Sequence, residues 1–355
     1  MNTYALLFIL PAIPCLLSRF PRLTNTDRCA FKKAAMILFF FVLFFLTAFR
    51  AHSVGNDTKN YMNIYHRFAS RDFAYALTYK EPAFAVLCKL VDAVFGDYQW
   101  LLIIVAALSI VPVMLLYSEN AEYPMTTIAL FVFLSVFYMY FSGLRQTIAI
   151  GIGMIAYYFT KKKKLVFFIL AVFMAYLFHR SAIVLIIMYP VYRLRLMKRD
   201  IVFIVLGMVA IYVFNRPIFA LLNGLIQDYE GLGDSNTGAF MMLVLLIVFS
   251  VFAFVISEED SLDPDTIGLR NFLLLTTAIQ MFVPLNFLVM RMGYYYMIFL
   301  PITMTRFISR ASRWSQVAMI ANLVLFLFFA VHFFVFAPST NTLHIFPYHF
   351  FWEMV

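Results

Sequence analysis

A few charged side chains interrupt long apolar stretches of this 355-residue chain. Arg145 follows Ser142-Gly143 in one such stretch, and His179-Arg180 divides another. An arginine at the centre of a membrane helix costs about 2.5–3.5 kcal/mol and commonly faces a cavity or a partner. Its guanidinium group can also bind phosphate oxygens through two parallel hydrogen bonds. A diphosphate is therefore a coherent target, with a buried ion pair or snorkelling to the headgroups as the alternative for Arg145. The arginines placed in this way are Arg50, Arg145, Arg180, Arg216 and Arg291.

Other side chains near these arginines have both a chemical and a structural interpretation. Asp57 can cap a following helix that carries Tyr61 on one face, or it can act as a base. Glu81 precedes Pro82 and a stretch with apolar residues at helical spacing, where a carboxylate suits the helix dipole. Alternatively, Glu81 faces a cleft at the membrane surface. His179 is either a hydrogen-bonding residue at a helix tip or a catalyst. Tyr294 either lines a sugar path or belongs to an interfacial aromatic belt.

The composition indicates that the elements carrying these residues lie in a membrane. The chain is 64% hydrophobic and 13% charged, with a mean hydropathy of +0.88, which exceeds what a soluble core of this length buries. Most of the 27 Lys and Arg residues lie in short clusters between apolar stretches, and cytoplasmic loops retain such residues. These clusters are Arg19 to Lys33, Lys161 to Lys164, Arg193 to Arg199 and Arg306 to Arg313. Because they are scattered over short loops, we expect no nucleic-acid binding.

The sequence predicts an all-α polytopic integral membrane protein with about twelve transmembrane helices plus an outer-face amphipathic helix. A single helix over 125–160 would be about 54 Å long, so we expect a turn at Ser142-Gly143. Similar turns are predicted at His179 and at Arg291 to Gly293. Both termini and the 51–98 segment, with an interfacial helix near 81–96, are then outside, and 1–355 forms a single transmembrane domain. The predicted spans are 3–18, 34–50, 99–117, 125–141, 143–160, 161–178, 179–195, 200–216, 238–256, 269–290, 293–309 and 315–337.

Three segments, taken together, resemble the EpsG family, a branch of the Wzy-type polysaccharide polymerases. They are Arg50 to Tyr61 with its Val-Gly-Asn-Asp-Thr core, Ser142 to Ala149 with Leu-Arg-Gln, and Phe178-His179-Arg180-Ser181. The resemblance covers roughly residues 35 to 310 in order and spacing. It implies a glycosyltransferase of the bacterial inner membrane that joins undecaprenyl-diphosphate-linked oligosaccharide repeats at the outer face, without a cofactor. The lipid-linked oligosaccharide and membrane lipid are the expected partners, and a chain-length regulator is a further candidate.

For this reaction, Asp57 is the first choice of base, with His179 and Glu81 behind it. Arg145 and Arg291, assisted by Arg180 or Arg50, are predicted to neutralise the diphosphate. No metal ligands are expected. An O-antigen ligase, a lipid-linked oligosaccharide flippase or other transporter, and a membrane acyltransferase remain alternatives from the sequence alone. The residues expected to line the substrate are Tyr61, Gln146, Tyr294 and Arg216.

Overall fold

Helices form nearly all of the computed structural model, which describes residues 2–226, 237–256, 262–286, 289–310, 315–341 and 343–353. Within these ranges there is no strand, only an isolated antiparallel bridge between Arg50 and Phe350. The helices are α1 Asn2–Leu17, α2 Asn25–Ala48, α3 Thr58–Ala69, α4 Phe73–Leu77, α5 Pro82–Phe95, α6 Tyr98–Asn120, α7 Pro124–Phe133, α8 Ser135–Ser142, α9 Leu144–Lys161, α10 Leu165–Phe178, α11 Met188–Arg193, α12 Ile201–Val213, α13 Asn215–Ile226, α14 Thr237–Ile256, α15 Pro264–Gln280, α16 Met290–Met297, α17 Leu300–Arg310, α18 Ser315–Val331 and α19 Ala337–Thr340. The all-helical prediction is confirmed.

Among the described residues, three helical stretches are long and apolar enough to cross a membrane: Asn25–Ala48, Tyr98–Asn120 and Met319–Thr340. The number rises to 5 if the bent pairs α7 with α8 and α12 with α13 each count as one span. The predicted number of about twelve is therefore not confirmed. Several of the predicted spans are shorter helices, and most of the predicted span at 179–195 is a 3₁₀ helix, Arg180–Ile187.

The chain divides into two compact units, one formed by Met1–Ile183 with Gln316–Val355 and the other by Val184–Ser315. In the first unit α2 packs against α6, α6 packs against α9, and α9 packs against α10. Gly151 of α9 lies against the backbone of α6, where an added Cβ would come within 2.4 Å of the Leu108 carbonyl oxygen. Only glycine permits this close approach of α9 to α6.

Helices end at two of the three predicted turns, and the third prediction is wrong. Gly143 separates α8 from α9, and α10 ends at Phe178, after which His179 has extended backbone angles. The turn predicted at Arg291 to Gly293 instead lies within α16. The preceding helix, α15, ends at Gln280 and is followed by turns over 281–285. Pro284 accounts for this earlier end, since it has no N–H to donate to the Gln280 carbonyl and its ring would clash with that carbonyl in a continued helix.

The segment between α2 and α6 folds onto itself through two amphipathic helices. Tyr61, Tyr65 and Phe68 are buried on one face of α3, as the sequence predicts. On α5 the buried face carries Phe84 and Cys88, and both faces belong to one apolar cluster. This packing fixes the N-terminal end of α5, where Glu81 lies.

The C-terminal tail holds the loop that follows α2. The Ala51 amide donates to the His349 carbonyl at 2.9 Å, and the Gly55 amide donates to the His344 carbonyl at 2.9 Å. Gly55 has a φ of +91°, and an added Cβ would lie 2.0 Å from the Phe141 carbonyl oxygen. The loop before α3 therefore has a fixed conformation that requires glycine at this position.

The second unit is organised around α15, which packs against α11, α14, α16 and α17. Asp265 at its start accepts a hydrogen bond from the Tyr192 hydroxyl at 2.8 Å and pairs with Arg306 Nη1 at 2.8 Å. These contacts join α11, α15 and α17 at one end, so part of the Arg306–Arg313 basic cluster also has a structural role.

Candidate active site

The Glu81 carboxylate is the centre of a polar cluster in the first unit. One oxygen, Oε2, pairs with Arg145 Nη1, and the other, Oε1, lies 2.7 Å from His179 Nδ1. The backbone N–H of Arg180 also donates to Oε1, at 3.3 Å. The Glu81 side chain is only 3% exposed, whereas those of Arg145 and His179 are each 19% exposed. A buried carboxylate thus holds an arginine and a histidine that both reach the surface of the unit.

Three separate helix boundaries bring these groups together. Pro82 occupies the first turn of α5, a position that proline favours, and it places Glu81 just before the helix. Arg145 is the second residue of α9, immediately after the break at Gly143. His179 terminates α10, which packs against both α9 and α5. The cluster therefore depends on where each helix begins or ends.

Arg145 makes contacts on two sides of its guanidinium group. Nη1 donates to the Tyr79 hydroxyl at 3.3 Å as well as to Glu81, and Nε donates to the Tyr61 hydroxyl at 3.4 Å. The guanidinium carbon lies 5.5 Å from the centre of the Tyr61 ring. No hydrogen bond from Nη2 to the described part of the chain is found. Nη2 can therefore donate to an added anion while the rest of the group stays in place.

The electrostatics of the cluster favour an ionised Glu81. Burial raises the pKa of the Glu81 carboxyl, but the hydrogen bond and charge of His179, the charge of Arg145 and the Arg180 amide outweigh it. The net pKa is lowered. At neutral pH the carboxylate is therefore charged and accepts hydrogen bonds from both neighbours.

Neither carboxylate caps its helix through its side chain. Asp57 and Glu81 occupy the N-cap positions of α3 and α5, yet neither makes a side-chain capping hydrogen bond. Neither side chain therefore forms a capping hydrogen bond, although Glu81 does lie at the start of α5 as predicted. Glu81 is instead committed to the cluster, and Arg145 forms the buried ion pair that was the alternative to direct diphosphate contact.

Asp57 lies beside the cluster and has no hydrogen bond to its carboxylate among the described residues. Burial raises the pKa of the Tyr61 hydroxyl, the nearby Arg145 opposes this, and the negative charge of Asp57 adds to the increase. Asp57 is therefore close enough to Tyr61 for its charge to act on that hydroxyl. The Tyr61 hydroxyl is thus influenced by both Asp57 and the Arg145 guanidinium.

Arg50 has a different environment from the one predicted for a diphosphate ligand. It is 1% exposed, and its Nε donates to the Thr58 hydroxyl at 3.3 Å. Its guanidinium carbon lies 5.9 Å from the centre of the Phe141 ring. These contacts tie the end of α2 to the start of α3 and to the end of α8. Arg50 therefore holds the loop that carries Asp57.

The family model of the EpsG family matches residues 33–350. The chain belongs to the EpsG family. This family includes Wzy-type polysaccharide polymerases. No curated protein and no solved structure matches the chain.

In this EpsG-family protein, the three segments that carried the resemblance all contribute to the first unit. The Arg50 to Tyr61 segment supplies Tyr61, the Ser142 to Ala149 segment supplies Arg145, and the Phe178 to Ser181 segment supplies His179. Gln146 is buried directly after Arg145. Arg180 contributes its amide to Glu81, and its side-chain Nε donates to the Lys80 carbonyl at 3.1 Å.

The other predicted site residues belong to the second unit. Arg291 is partly buried in α16, and Arg216 is exposed near the start of α13. Tyr294 and the two tyrosines after it are all buried, so they do not form a lipid-facing aromatic belt. Their predicted contact with substrate stays a prediction.

Tyr79 is a member of the cluster that sequence reasoning missed. Its hydroxyl accepts a hydrogen bond from Arg145, and its ring packs edge-on against Phe68 at 5.0 Å between ring centres. Its position two residues before Glu81 was the available signal. Within the described ranges, no group of three or more His, Cys, Asp and Glu residues is placed to hold a metal ion.

Proposed function

We propose that this EpsG-family membrane protein is a polysaccharide polymerase that uses undecaprenyl-diphosphate-linked oligosaccharide repeats. The glycan on one lipid carrier is transferred to a hydroxyl group at the non-reducing end of a second lipid-linked repeat. The observation that carries this proposal is the Glu81–His179–Arg145 cluster, which combines an oriented imidazole with an arginine. In a glycosyl transfer from a diphosphate, the imidazole can act as the base and the arginine can neutralise charge on the leaving group.

The contact with Glu81 supports His179 as the base. A carboxylate at Nδ1 favours the tautomer whose proton is on Nδ1, which leaves the lone pair on Nε2. Nε2 would take the proton of the acceptor hydroxyl as its oxygen bonds to the anomeric carbon of the donor. Glu81 is then a positioning residue, and its charge also stabilises the imidazolium that forms. Asp57 stays the alternative base.

Arg145 is suited to the leaving group. As the bond between the anomeric carbon and the diphosphate oxygen breaks, the electron pair stays on the diphosphate, and Nη2 of Arg145 would donate to it. The Arg145 side chain is 19% exposed, so it is reachable without unfolding the cluster. We extend the same role to Arg180, whose backbone already joins Glu81.

The proposal assigns wider roles to residues that surround this cluster. Tyr61 and Gln146 would line the sugar path in the first unit. Arg216, Arg291 and Tyr294, in the second unit, stay candidates for substrate contact. We place the reaction at the extracytoplasmic face of the bacterial inner membrane. The supporting argument is the charge rule, because the basic clusters mark the opposite side.

The products made by purified protein test this function. Lipid-linked repeats are supplied alone, and a second reaction adds lipid A core. A ladder of longer lipid-linked chains in the first reaction is the expected result. Transfer only to lipid A core would identify a ligase, and recovery of unmodified repeats would indicate transport; either result would overturn the polymerase proposal.

A further inference from the structure

A groove of about 470 Å³ lies between the C-terminal ends of α6 and α9, outside the candidate active site. One wall belongs to α6 and the other to α9, and both walls are mainly apolar. Leu115, Ile155 and Tyr158 are exposed large apolar residues on these walls.

The packing of the two helices explains where this groove lies. Gly151 brings α9 against the α6 backbone at Leu108. Toward the C-terminal end from this contact, larger side chains such as Leu115 and Ile155 face the space between the helices. Pro112 lies within α6 on the same side of the contact and contributes to the lining. The groove is therefore a product of the α6–α9 crossing.

Its polar end is basic. Lys161 and Lys162 line the groove, and their ammonium groups lie 5.5 Å and 5.9 Å from the centres of the Tyr157 and Tyr158 rings. Lys163 and Lys164 continue the positive charge along the chain. Glu119 is the acidic lining residue, and Lys33 Nζ lies 3.8 Å from its carboxylate. The positive charge of this end thus exceeds the negative charge.

Apolar walls with a cationic end match one class of membrane molecule. An acyl chain fits along exposed apolar side chains, and lysines attract the phosphate of an anionic headgroup. A neutral phospholipid has no net negative charge for the lysines to attract. A free phosphate has no acyl chain to contact the apolar walls. The helix that forms one wall, α6, is also long and apolar enough to cross a membrane.

We propose that this groove binds an anionic phospholipid, with an acyl chain between α6 and α9 and the headgroup at Lys161 and Lys162. The site is separate from the cluster at Glu81 and does not rest on the polymerase proposal. By the charge rule, it faces the cytoplasmic leaflet.

Lipid titration of the purified full-length protein tests the site. Native mass spectrometry measures the binding of phosphatidylglycerol and of phosphatidylcholine with the same acyl chains. Wild-type protein is expected to prefer phosphatidylglycerol. The double variant Lys161→Gln with Lys162→Gln should lose about tenfold to thirtyfold in phosphatidylglycerol affinity, since each lysine near a headgroup contributes to binding.

The matched control is Lys163→Gln with Lys164→Gln, which removes the same charge two residues farther along. It should change affinity by no more than about threefold. Equal losses in the two double variants, or equal affinity for both lipids, would overturn the site. A photoactivatable phosphatidylglycerol adds a readout on wild-type protein that needs no variant. It should label 112–116 and 154–158, and labelling elsewhere or a crosslink to a second copy of the chain there would contradict the proposal.

Discussion

Replacing Glu81 by glutamine should separate the positioning role of its carboxylate from simple packing. Glutamine has nearly the same shape, so α5 should begin at the same residue. It removes the negative charge that pairs with the Arg145 guanidinium and that lies beside His179 Nδ1. We expect the variant to insert normally, to lose stability and to elongate glycan chains much more slowly.

The size of both effects follows from the contacts. Breaking a buried ion pair by removing one partner costs about 3–5 kcal/mol. The Arg145 side chain is 19% exposed and keeps its contacts with Tyr61 and Tyr79, so we expect about 2–3 kcal/mol. A positioned base contributes about 10²–10⁴-fold to a rate. Glutamine keeps a carbonyl oxygen that can accept from Nδ1, but it lacks the negative charge that stabilises the imidazolium, so much of that factor should be lost.

The assay compares Glu81→Gln with Asp92→Asn in two measurements. These are the unfolding free energy in detergent and the elongation rate with lipid-linked repeats. Asp92 lies on the same helix, and its carboxylate accepts a hydrogen bond from the Tyr65 hydroxyl at 3.2 Å. Asp92→Asn should elongate chains at close to the wild-type rate. If Glu81→Gln matched this control in both unfolding free energy and elongation rate, Glu81 would not organise the site.

Further predictions concern the arginine, the loop glycine and pH. Arg145→Lys keeps the charge but loses the planar fork, so elongation should fall at least about tenfold, measured as initial rate; an unchanged rate would refute the contact with diphosphate. Gly55→Ala places a Cβ 2.0 Å from the Phe141 carbonyl and should cost at least about 3 kcal/mol. The Cβ added by Gly96→Ala meets no atom within 4 Å, so this control should lower the unfolding free energy by only about 1 kcal/mol. Equal unfolding free energies of the two variants would contradict the loop geometry. Because the pKa of Glu81 is lowered in the folded protein, its stabilisation is present above the ordinary glutamate pKa and is lost as pH falls through the lowered value. The stability difference between wild type and Glu81→Gln should therefore shrink below about pH 4.3, and a difference independent of pH would contradict an ionised pair.

The segment 51–98 was the part of the fold most accessible from sequence. Its helices alternate apolar and polar residues with helical spacing, and Gly55 and Pro82 mark where they begin. The number of spans was not accessible in the same way. The 3₁₀ helix Arg180–Ile187 is as apolar as a spanning helix, so composition does not distinguish the two. Pro284 was a better marker of a helix end than Arg291, because proline acts directly on backbone angles.

Site residues could be nominated from sequence, but their partners could not. Glu81 lies 64 residues from Arg145 and 98 from His179, and only tertiary packing brings them together. Without that information, Asp57 ranked first as base on local grounds. Arg50 looked similar to Arg145 in sequence, yet it is buried, since a guanidinium near a helix end can equally bind backbone and hydroxyl groups. For Tyr79 the sequence offered only its position two residues before Glu81.

The most direct test of the site is the elongation rate of purified His179→Gln protein at saturating lipid-linked repeat, compared with Asp57→Asn. Binding of the lipid-linked repeat is measured on both proteins. We predict that His179→Gln binds the repeat but elongates about 10²–10⁴-fold more slowly than wild type, whereas Asp57→Asn retains most of the rate. Wild-type elongation by His179→Gln, with loss of elongation in Asp57→Asn, would contradict the account and assign the base to Asp57.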